Sequence, residues 1–499
     1  MRQQPGDAYW YTRGAPTDKQ WLDFQYDVKV SDIELANREN FVSIEHVKRF
    51  TTNGMSVDQG KTSNVNALAV MAELSGRRIP EVGTTKFRPP YHPVTLGTIA
   101  GQRRGEAYLP RQILPAHDWH IDQGGVMQDY GWMRPDCYPQ VGESEQAAID
   151  REVMAVRNGV GMFDATPLGK IEVKGADAAI FLQRIYANNA RSLKPGFARY
   201  GLMCNENGVV IDDGVFVRLT EDHFLCHCTS GNTARVYQWL EEWLQCEWPS
   251  LRVALSNQTS QWASATVSGP RARELMRLFE SDIDFSCKAF SHMQFRSGQI
   301  DGVAARVLRA SFTGELTYEI SVPARYGLSL WKRIDALGQA LNIVPYGVES
   351  LMVLRTEKGY LHIGVDTDGT TTPLDLGWGA PLSKKTDDFI GARSLLRSHD
   401  QRNDRLHFVG LQAIDSGQSL PLGGHIVSQV NVELPMESQG YCTSACYSPT
   451  LKRWIGLGLV SCGRERMNES VSIFANGKTV AAKVVSPTHL DVKGERLNA

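Results

Sequence analysis

Residues 203–218 read MCNENGVVIDDGVFVR. The pair Asn207-Gly208, set between two β-patterned arms, constrains the fold more than any other short stretch. Both residues accept a positive φ, so the pair predicts a tight hairpin. A hairpin sets the register of its arms and so decides which side chains share a face. The second arm is a strand from about Val209 to Arg218, and alternation groups Val209, Ile211, Asp213, Val215 and Val217. Four are apolar and one is an acid. A carboxylate on a buried apolar face is costly if it stays charged and alone. Asp213 must therefore be paired, hold a proton, or face a cavity where a ligand supplies the partner. An Asp bonded to a loop amide, or a face that is simply open, also satisfies the pattern. Asp212, on the other face with Val210, Phe216 and Arg218, reads as solvent-side or salt-bridged.

Two further stretches carry candidate chemistry. In SFTGELTYEISV (311–322), Gly314-Glu315 marks a turn and TYEISV a strand. Alternation puts Thr317, Glu319 and Ser321 together, opposite Tyr318, Ile320 and Val322. A carboxylate among hydroxyls offers two parallel acceptors for adjacent N–H donors of a heterocycle. A solvated strand face reads the same way. In VLRTEKGYLHIG (353–364), Glu357 before Gly359 marks a helix end. Arg355 and Glu357 are too close in sequence to face each other on a helix, which favours separate structural ion pairs.

Composition excludes several classes. The 499 residues carry a formal net charge of −2, with 42% hydrophobic and 22% charged residues. That balance gives no electrostatic support for nucleic-acid or anionic-membrane binding. No apolar run has the length of a membrane span, and the N-terminus has no signal-like apolar core, so a cytoplasmic protein is expected. The nine cysteines are scattered. Cys226 and Cys228 in HFLCHC fall on one side of a strand with no matching second pair, so buried free thiols are expected there and at Cys442 and Cys446. The twelve histidines show no metal-ligand spacing, His117 and His120 being the closest pair, and no metal is expected. GxGxxG after an early strand, GxxxxGK[ST] and HExxH are all absent.

Along the chain, residues 1–20 read as a polar arm and 21–80 as a helical module, with SIEHVKRF and VNALAVMAELSG as helices. The Pro-, Gly- and Arg-rich stretch 81–108 reads as an extended linker. From 109 to 395 β patterns alternate with helices such as EQAAIDREVMAVRNG and ARVYQWLEEWLQ. From 400 to 499 short strands with turn signals (LPLGGHIVS, TSACYSPTLKRWIGLGLVS, SVSIFANGKTVAAKVV) suggest an all-β domain.

Seven motifs then occur in order: EVMAVRNGVGMFDATPLGKIEVKG (152–175), ARYGLMCNENGVVIDD (198–213), VSGPRARELM (267–276), SFTGELTYEI (311–320), LRTEKGYLHIG (354–364), DDFIGARSL (387–395) and TSACYSPTLKRWIGLGLV (443–460). Together they resemble the aminomethyltransferase (T-protein) family of the glycine cleavage system. Residues 23–64 and 81–94 resemble the C-terminal half of the alpha subunit of heterotetrameric sarcosine oxidase. The dinucleotide-binding half of that subunit has no counterpart in these residues. The 21–80 stretch is also similar to small iron–sulfur modules, but has no cysteine before Cys137 to hold a cluster.

The resemblance implies an α+β fold. Three domains form a cloverleaf around a central folate channel, with an N-terminal helical module and a C-terminal β-barrel-like domain. It implies Asp213 as the catalytic acid, its apolar strand face lining the channel. Glu319 corresponds to the acid that grips the pterin, Tyr200 to an aromatic near it, and Val215 contributes from the Asp213 strand. His292 and Tyr360 fall at other folate contacts. Leu351 departs from the family, many members of which have an arginine there for the folate tail. The implied activity is capture of a methylene unit from an oxidised N-methyl amine as 5,10-methylenetetrahydrofolate. Tetrahydrofolate is bound here, and a flavin sits on a partner oxidase or dehydrogenase subunit that docks on 21–108. A stand-alone aminomethyltransferase or demethylase is the alternative. A non-catalytic folate-binding scaffold is a third reading, although KGYLHIGVD (358–366) lacks the Cys and Gln of the KGCYxGQ motif of iron–sulfur-assembly relatives.

Overall fold

A computed structural model describes residues 8–89, 91–108, 110–427 and 435–498. The first seven residues of the arm, residue 109 at the expected start of the folate-binding part, and Ser428 and Ala499 near the end lie outside the described residues. The chain forms two compact units, Met1–Pro110 and Arg111–Ala499.

In the first unit, helices Val30–Arg38, Ile44–Thr51 and Asn64–Ser75 enclose a core that includes Leu22, Ile33, Val47, Leu68 and Met71. The third helix ends on Gly76 at φ 63°, and the Arg77 amide donates back to the Ala72 carbonyl at 2.9 Å. Glycine reaches that left-handed conformation without a steric cost. A two-stranded ribbon, Trp21–Asp23 with Val28–Lys29, precedes the helices. The stretch expected to be extended carries short helices, Ile79–Val82 and Leu96–Ala100, because Pro at the start of the first and the Thr95 hydroxyl at the start of the second satisfy helix ends locally.

The second unit is built on two antiparallel-dominated sheets and a barrel. The first sheet has five strands in the order Ala254–Asn257, Gly169–Lys174, His223–Cys228, Val210–Thr220, Phe197–Cys204. The second has six, in the order Phe295–Ile300, Val303–Leu308, Thr317–Pro323, Trp262–Ser268, Gly161–Asp164, Val344–Pro345. Each sheet buries its outer face under helices. Ile171, Val173, Phe216, Phe224 and Cys226 pack beneath the helix Ala178–Ile185. Val267, Tyr318, Ile320 and Val322 pack beneath Gly327–Gly338. The inner faces meet at Ala198, Val217 and Leu225 from the first sheet and Phe295 and Leu308 from the second. Main-chain bonds join the sheet edges: the Ala198 amide donates to the Met293 carbonyl at 2.8 Å, and the Phe295 amide to the Gly196 carbonyl at 2.9 Å. Residues 406–485 close an antiparallel barrel.

The cysteines make no disulfide among the described residues. Cys226, Cys228 and Cys442 are buried, Cys446 is part-buried, and Cys246 and Cys287 are exposed. The His117–His120 pair is structural at His120, which is buried between the Tyr138 hydroxyl (2.8 Å) and Asp164. Among the described residues no helix is long and apolar enough to cross a membrane.

A buried ion cluster ties these parts together. Arg157, on the helix Glu145–Asn158, donates to Glu357 Oε2 at 2.8 Å, Glu315 Oε1 at 2.7 Å and the Thr313 carbonyl at 2.8 Å. All three charged side chains are 2% exposed or less. Glu357, on the helix Val348–Lys358, also accepts from the barrel hydroxyl of Ser448 at 2.5 Å. Arg355 points to different partners, Asp366 and Ser444. Replacing Arg157 with Leu leaves Glu315 with Arg496 and removes the cation that pairs with Glu357. The expected loss is about 3–5 kcal/mol, read as a lower denaturant midpoint. An unchanged midpoint would show that the cluster is dispensable.

Candidate functional site

The hairpin differs in detail from its expected form, and the difference shapes the site. Gly208 is at φ 79° but Asn207 is not in the left-handed region. The Gly208 amide donates to the Asn205 carbonyl at 2.9 Å, and the Asn205 side chain accepts from the amides of Asn207 and Val209. The turn therefore has Glu206 and Asn207 at its corners, a type I turn closed by a left-handed glycine. The extra loop residue is followed by a slip in pairing: Cys204 faces Val210, yet Met203 faces Asp212. Ile211 is bulged out and joins the outer core of the first sheet. Beyond the bulge alternation resumes. Asp213 pairs with Leu202, Val215 with Tyr200 and Val217 with Ala198, all on the face turned to the second sheet.

Asp212 is neither solvent-side nor salt-bridged. It is fully buried, and the Thr229 amide donates to its Oδ2 at 3.3 Å. Burial raises its pKa. It lies on the outer face with Phe216, opposite Met203, and that face is covered rather than open to solvent. Gly214 follows the two acids because a Cβ there would lie 1.9 Å from the His227 carbonyl oxygen. Only glycine lets the two strands approach at that point.

Asp213 is part-buried and accepts a hydrogen bond from the Tyr200 hydroxyl at 2.5 Å. The Tyr200 ring meets Trp378 edge-on, with centroids 5.5 Å apart, within a cluster that includes Leu202, Leu361 and Ile363. Burial, and then the neighbouring Asp212 charge, push the Asp213 carboxyl up to about 7, against the opposing Tyr200 bond. The acid is thus poised to exchange a proton near neutrality.

Glu319 lies further along the same interior. It is buried, on a strand whose hydroxyl neighbours Thr317 and Ser321 share its face. Its Oε1 has no hydrogen-bond partner. It lines a small hollow with Val217, which is four residues, about 13 Å of extended strand, from Asp213. Sequence reasoning missed five other residues of this hollow, Leu225, His227, Phe295, Arg306 and Leu308. The pattern HFLCHC held the signal, since alternation that buries Cys226 and Cys228 outward turns His227 inward.

The remaining candidates stand on other elements. His292 is half-buried, and burial together with Arg309 and Lys358 pushes its pKa down to about 4. It precedes the Met293 peptide that bonds to Ala198. Tyr360 stacks on Phe312 at 6.1 Å, and burial raises its pKa to about 12. Its neighbour Leu361, rather than Tyr360 itself, packs in the Tyr200 cluster. Leu351 is buried among Val153, Phe163 and Val348.

The raised Asp213 pKa has a consequence for stability. Between the ordinary value of 3.8 and about 7 the folded chain holds a proton that the unfolded chain has lost. Stability from this group therefore falls as pH rises through that window. Asp213→Asn is expected to melt about 2–4 °C above the unsubstituted protein at pH 8, with the gap closing toward pH 4. A gap that is constant with pH would show that this carboxyl does not hold the proton.

Three family models match successive parts of the chain. They are the sarcosine oxidase A3 domain over residues 17–103, the GCVT N-terminal domain over 116–386, and the glycine cleavage T-protein C-terminal barrel domain over 407–491. The chain is 46% identical over 483 residues to sarcosine oxidase subunit alpha of Corynebacterium sp. (strain P-1), covering 95% of this chain and 50% of that protein. It is 40% identical to the same subunit of Rhizobium meliloti (strain 1021), covering 96% and 49%. It thus spans about half the length of these relatives. It is 32% identical over 374 residues to an aminomethyltransferase of Thermotoga sp. (strain RQ2), covering 74% of this chain and 95% of that one. The crystal structure of glycine cleavage system aminomethyltransferase T from Bartonella henselae has the same fold, with a TM-score of 0.66 at 23% identity over 76% of this chain and 98% of that one. With the GCVT domain, its barrel module and a relative matched almost end to end, the chain belongs to the glycine cleavage T-protein aminomethyltransferase family.

Proposed function

We propose that this chain is the folate-binding part of a sarcosine oxidase-like complex. There it transfers a one-carbon unit from an oxidised N-methyl amine to tetrahydrofolate, giving 5,10-methylenetetrahydrofolate. The family supplies the one-carbon, folate-dependent class. The sarcosine oxidase relatives supply the amine and the expectation of a flavoprotein partner. The observation that carries the reading is the Asp213–Tyr200 pair on an inner strand face, with an acid whose proton is exchangeable near pH 7.

Tyr200 fixes the orientation of the Asp213 carboxyl, because its hydroxyl donates to Oδ2. A cationic amine or iminium carbon arriving beside Asp213 favours the ionised form, so the acid gives up its proton as positive charge appears. The apolar neighbours Leu202, Leu361 and Ile363 keep the dielectric low, which strengthens that attraction. Glu319, with an unpartnered oxygen, suits the paired N–H donors of a pterin. Leu351 offers nothing to the carboxylate tail. Arg134 brings a guanidinium to the same cluster, 5.2 Å from the Phe163 ring, and we assign it that role.

A second reading, a stand-alone aminomethyltransferase, is favoured by the relative matched over 95% of its own length. Adding and withholding a flavoprotein partner during turnover of an N-methyl amine separates the two. Titration of tetrahydrofolate into the purified protein tests both. Asp213→Asn is expected to bind tetrahydrofolate within about threefold of the unsubstituted chain while transfer slows by roughly 10²–10⁴-fold. Unchanged transfer in that variant would remove Asp213 from the chemistry.

A further inference from the structure

The hollow beside Glu319 contains a second side chain with no partner. His227 Nε2 and Glu319 Oε1 are both buried and both without a hydrogen bond. The residues carrying them are 6% and 7% exposed. They come from different sheets, and both line the same hollow. Its volume is about 10 Å³, room for about one water. Leu225, Phe295 and Leu308 form its apolar walls.

The other charged groups nearby are already engaged. Lys170 donates to the carbonyls of Thr166 and Leu168 at 3.0 Å each. Arg306, which also lines the hollow, forms an ion pair with Glu172 at 2.8 Å through an Nη1 that makes no aligned hydrogen bond, and its guanidinium lies 4.0 Å from the Trp262 ring centre. Burial, Lys170 and Arg306 push the His227 pKa down, against the attraction of Glu319. His227 is therefore a neutral imidazole at neutral pH, with one ring nitrogen donating and the other accepting. Native structures rarely leave two buried polar groups unsatisfied side by side unless a ligand or solvent meets them.

We propose that His227 and Glu319 together read the amide-like edge of a bound 4-oxo pteridine. The carboxylate accepts from the ring N–H and the exocyclic amine, while the imidazole, with its proton on Nε2, donates to the adjacent carbonyl oxygen. The inference rests on the folate reading of this site and adds a specificity residue to it. The pairing of an acceptor beside a donor matches a 4-oxo ring. It opposes a 4-amino ring, which presents a second donor where the carbonyl stood and an acceptor at the neighbouring nitrogen. A site built to hydrogen-bond one pattern rejects the other because its own buried groups are left unpaired. The hollow is smaller than a pteridine, so entry moves the apolar walls apart.

The test measures binding of tetrahydrofolate and of its 4-amino counterpart, tetrahydroaminopterin, to the purified protein and to His227→Ala and His227→Gln. Thermal melting of each variant confirms that it is folded. The unsubstituted protein is expected to prefer the 4-oxo compound by roughly tenfold or more. His227→Ala is expected to lose roughly tenfold in affinity for tetrahydrofolate with little change for the 4-amino compound, collapsing the preference. His227→Gln, whose amide can still donate, restores part of it. A preference that survives intact in His227→Ala overturns this inference and leaves the folate reading standing. If the unsubstituted protein binds neither compound, the folate reading fails and takes the inference with it.

Discussion

Arg157 holds the larger unit in register. One guanidinium, almost entirely out of water, takes carboxylates from the turn before the Glu319 strand and from the helix Val348–Lys358. Glu357 passes the connection on to the barrel through Ser448, and Arg496 from the C-terminal segment completes the charge balance at Glu315. Such a cluster adds little net stability compared with well-packed apolar residues. Its effect is on position. Every alternative arrangement of these elements strands a buried charge, so the strand carrying Glu319 has one place to be.

That placement matters because the two sheets divide their faces by polarity. Outer faces are apolar and covered by helices. The inner faces carry Ser264, Thr317, Glu319 and Ser321 on one side and Lys170, His227, Asp213 and Tyr200 on the other, around a small apolar contact. Polar side chains kept inside a protein need partners. Most find them in each other or in the main chain. Glu319 Oε1 and His227 Nε2 do not. Asp213 accepts from Tyr200, yet burial and the Asp212 charge beside it outweigh that bond and raise its proton affinity. The two acids thus face the interior from different sheets in different surroundings, Asp213 beside Tyr200 and Asp212, and Glu319 with an oxygen open for recognition.

Much of this was legible in the residues. Asp213 stood out as an acid in an apolar alternation, and Glu319 as a carboxylate among hydroxyls on one strand face. Helix ends such as Gly76 and Gly359 follow from the left-handed backbone that glycine tolerates. Other features were hidden. The bulge at Ile211 comes from a turn one residue longer than Asn207-Gly208 suggested, and Asp212 is buried because distant elements cover the outer face it lies on. A short helix across the start of the 81–108 stretch, Ile79–Val82, and another within it, Leu96–Ala100, come from local end-capping that overrides a Pro- and Gly-rich composition. His227 went unread because its two cysteine neighbours drew attention to the opposite face of the same strand.

Local pattern, by itself, determined which residues form strands and helices and which faces of those elements are polar, since periodicity and turn chemistry act between near neighbours. The ordered motifs also carry the family resemblance by themselves. Only the tertiary structure decided which polar faces meet, which acids lose their water, and which side chains are left without partners. Burial and pairing depend on residues far apart in the chain: Arg157 with Glu357, Glu319 with His227, Asp213 with Tyr200. No local rule records what a distant strand will bring to the other side of a hollow.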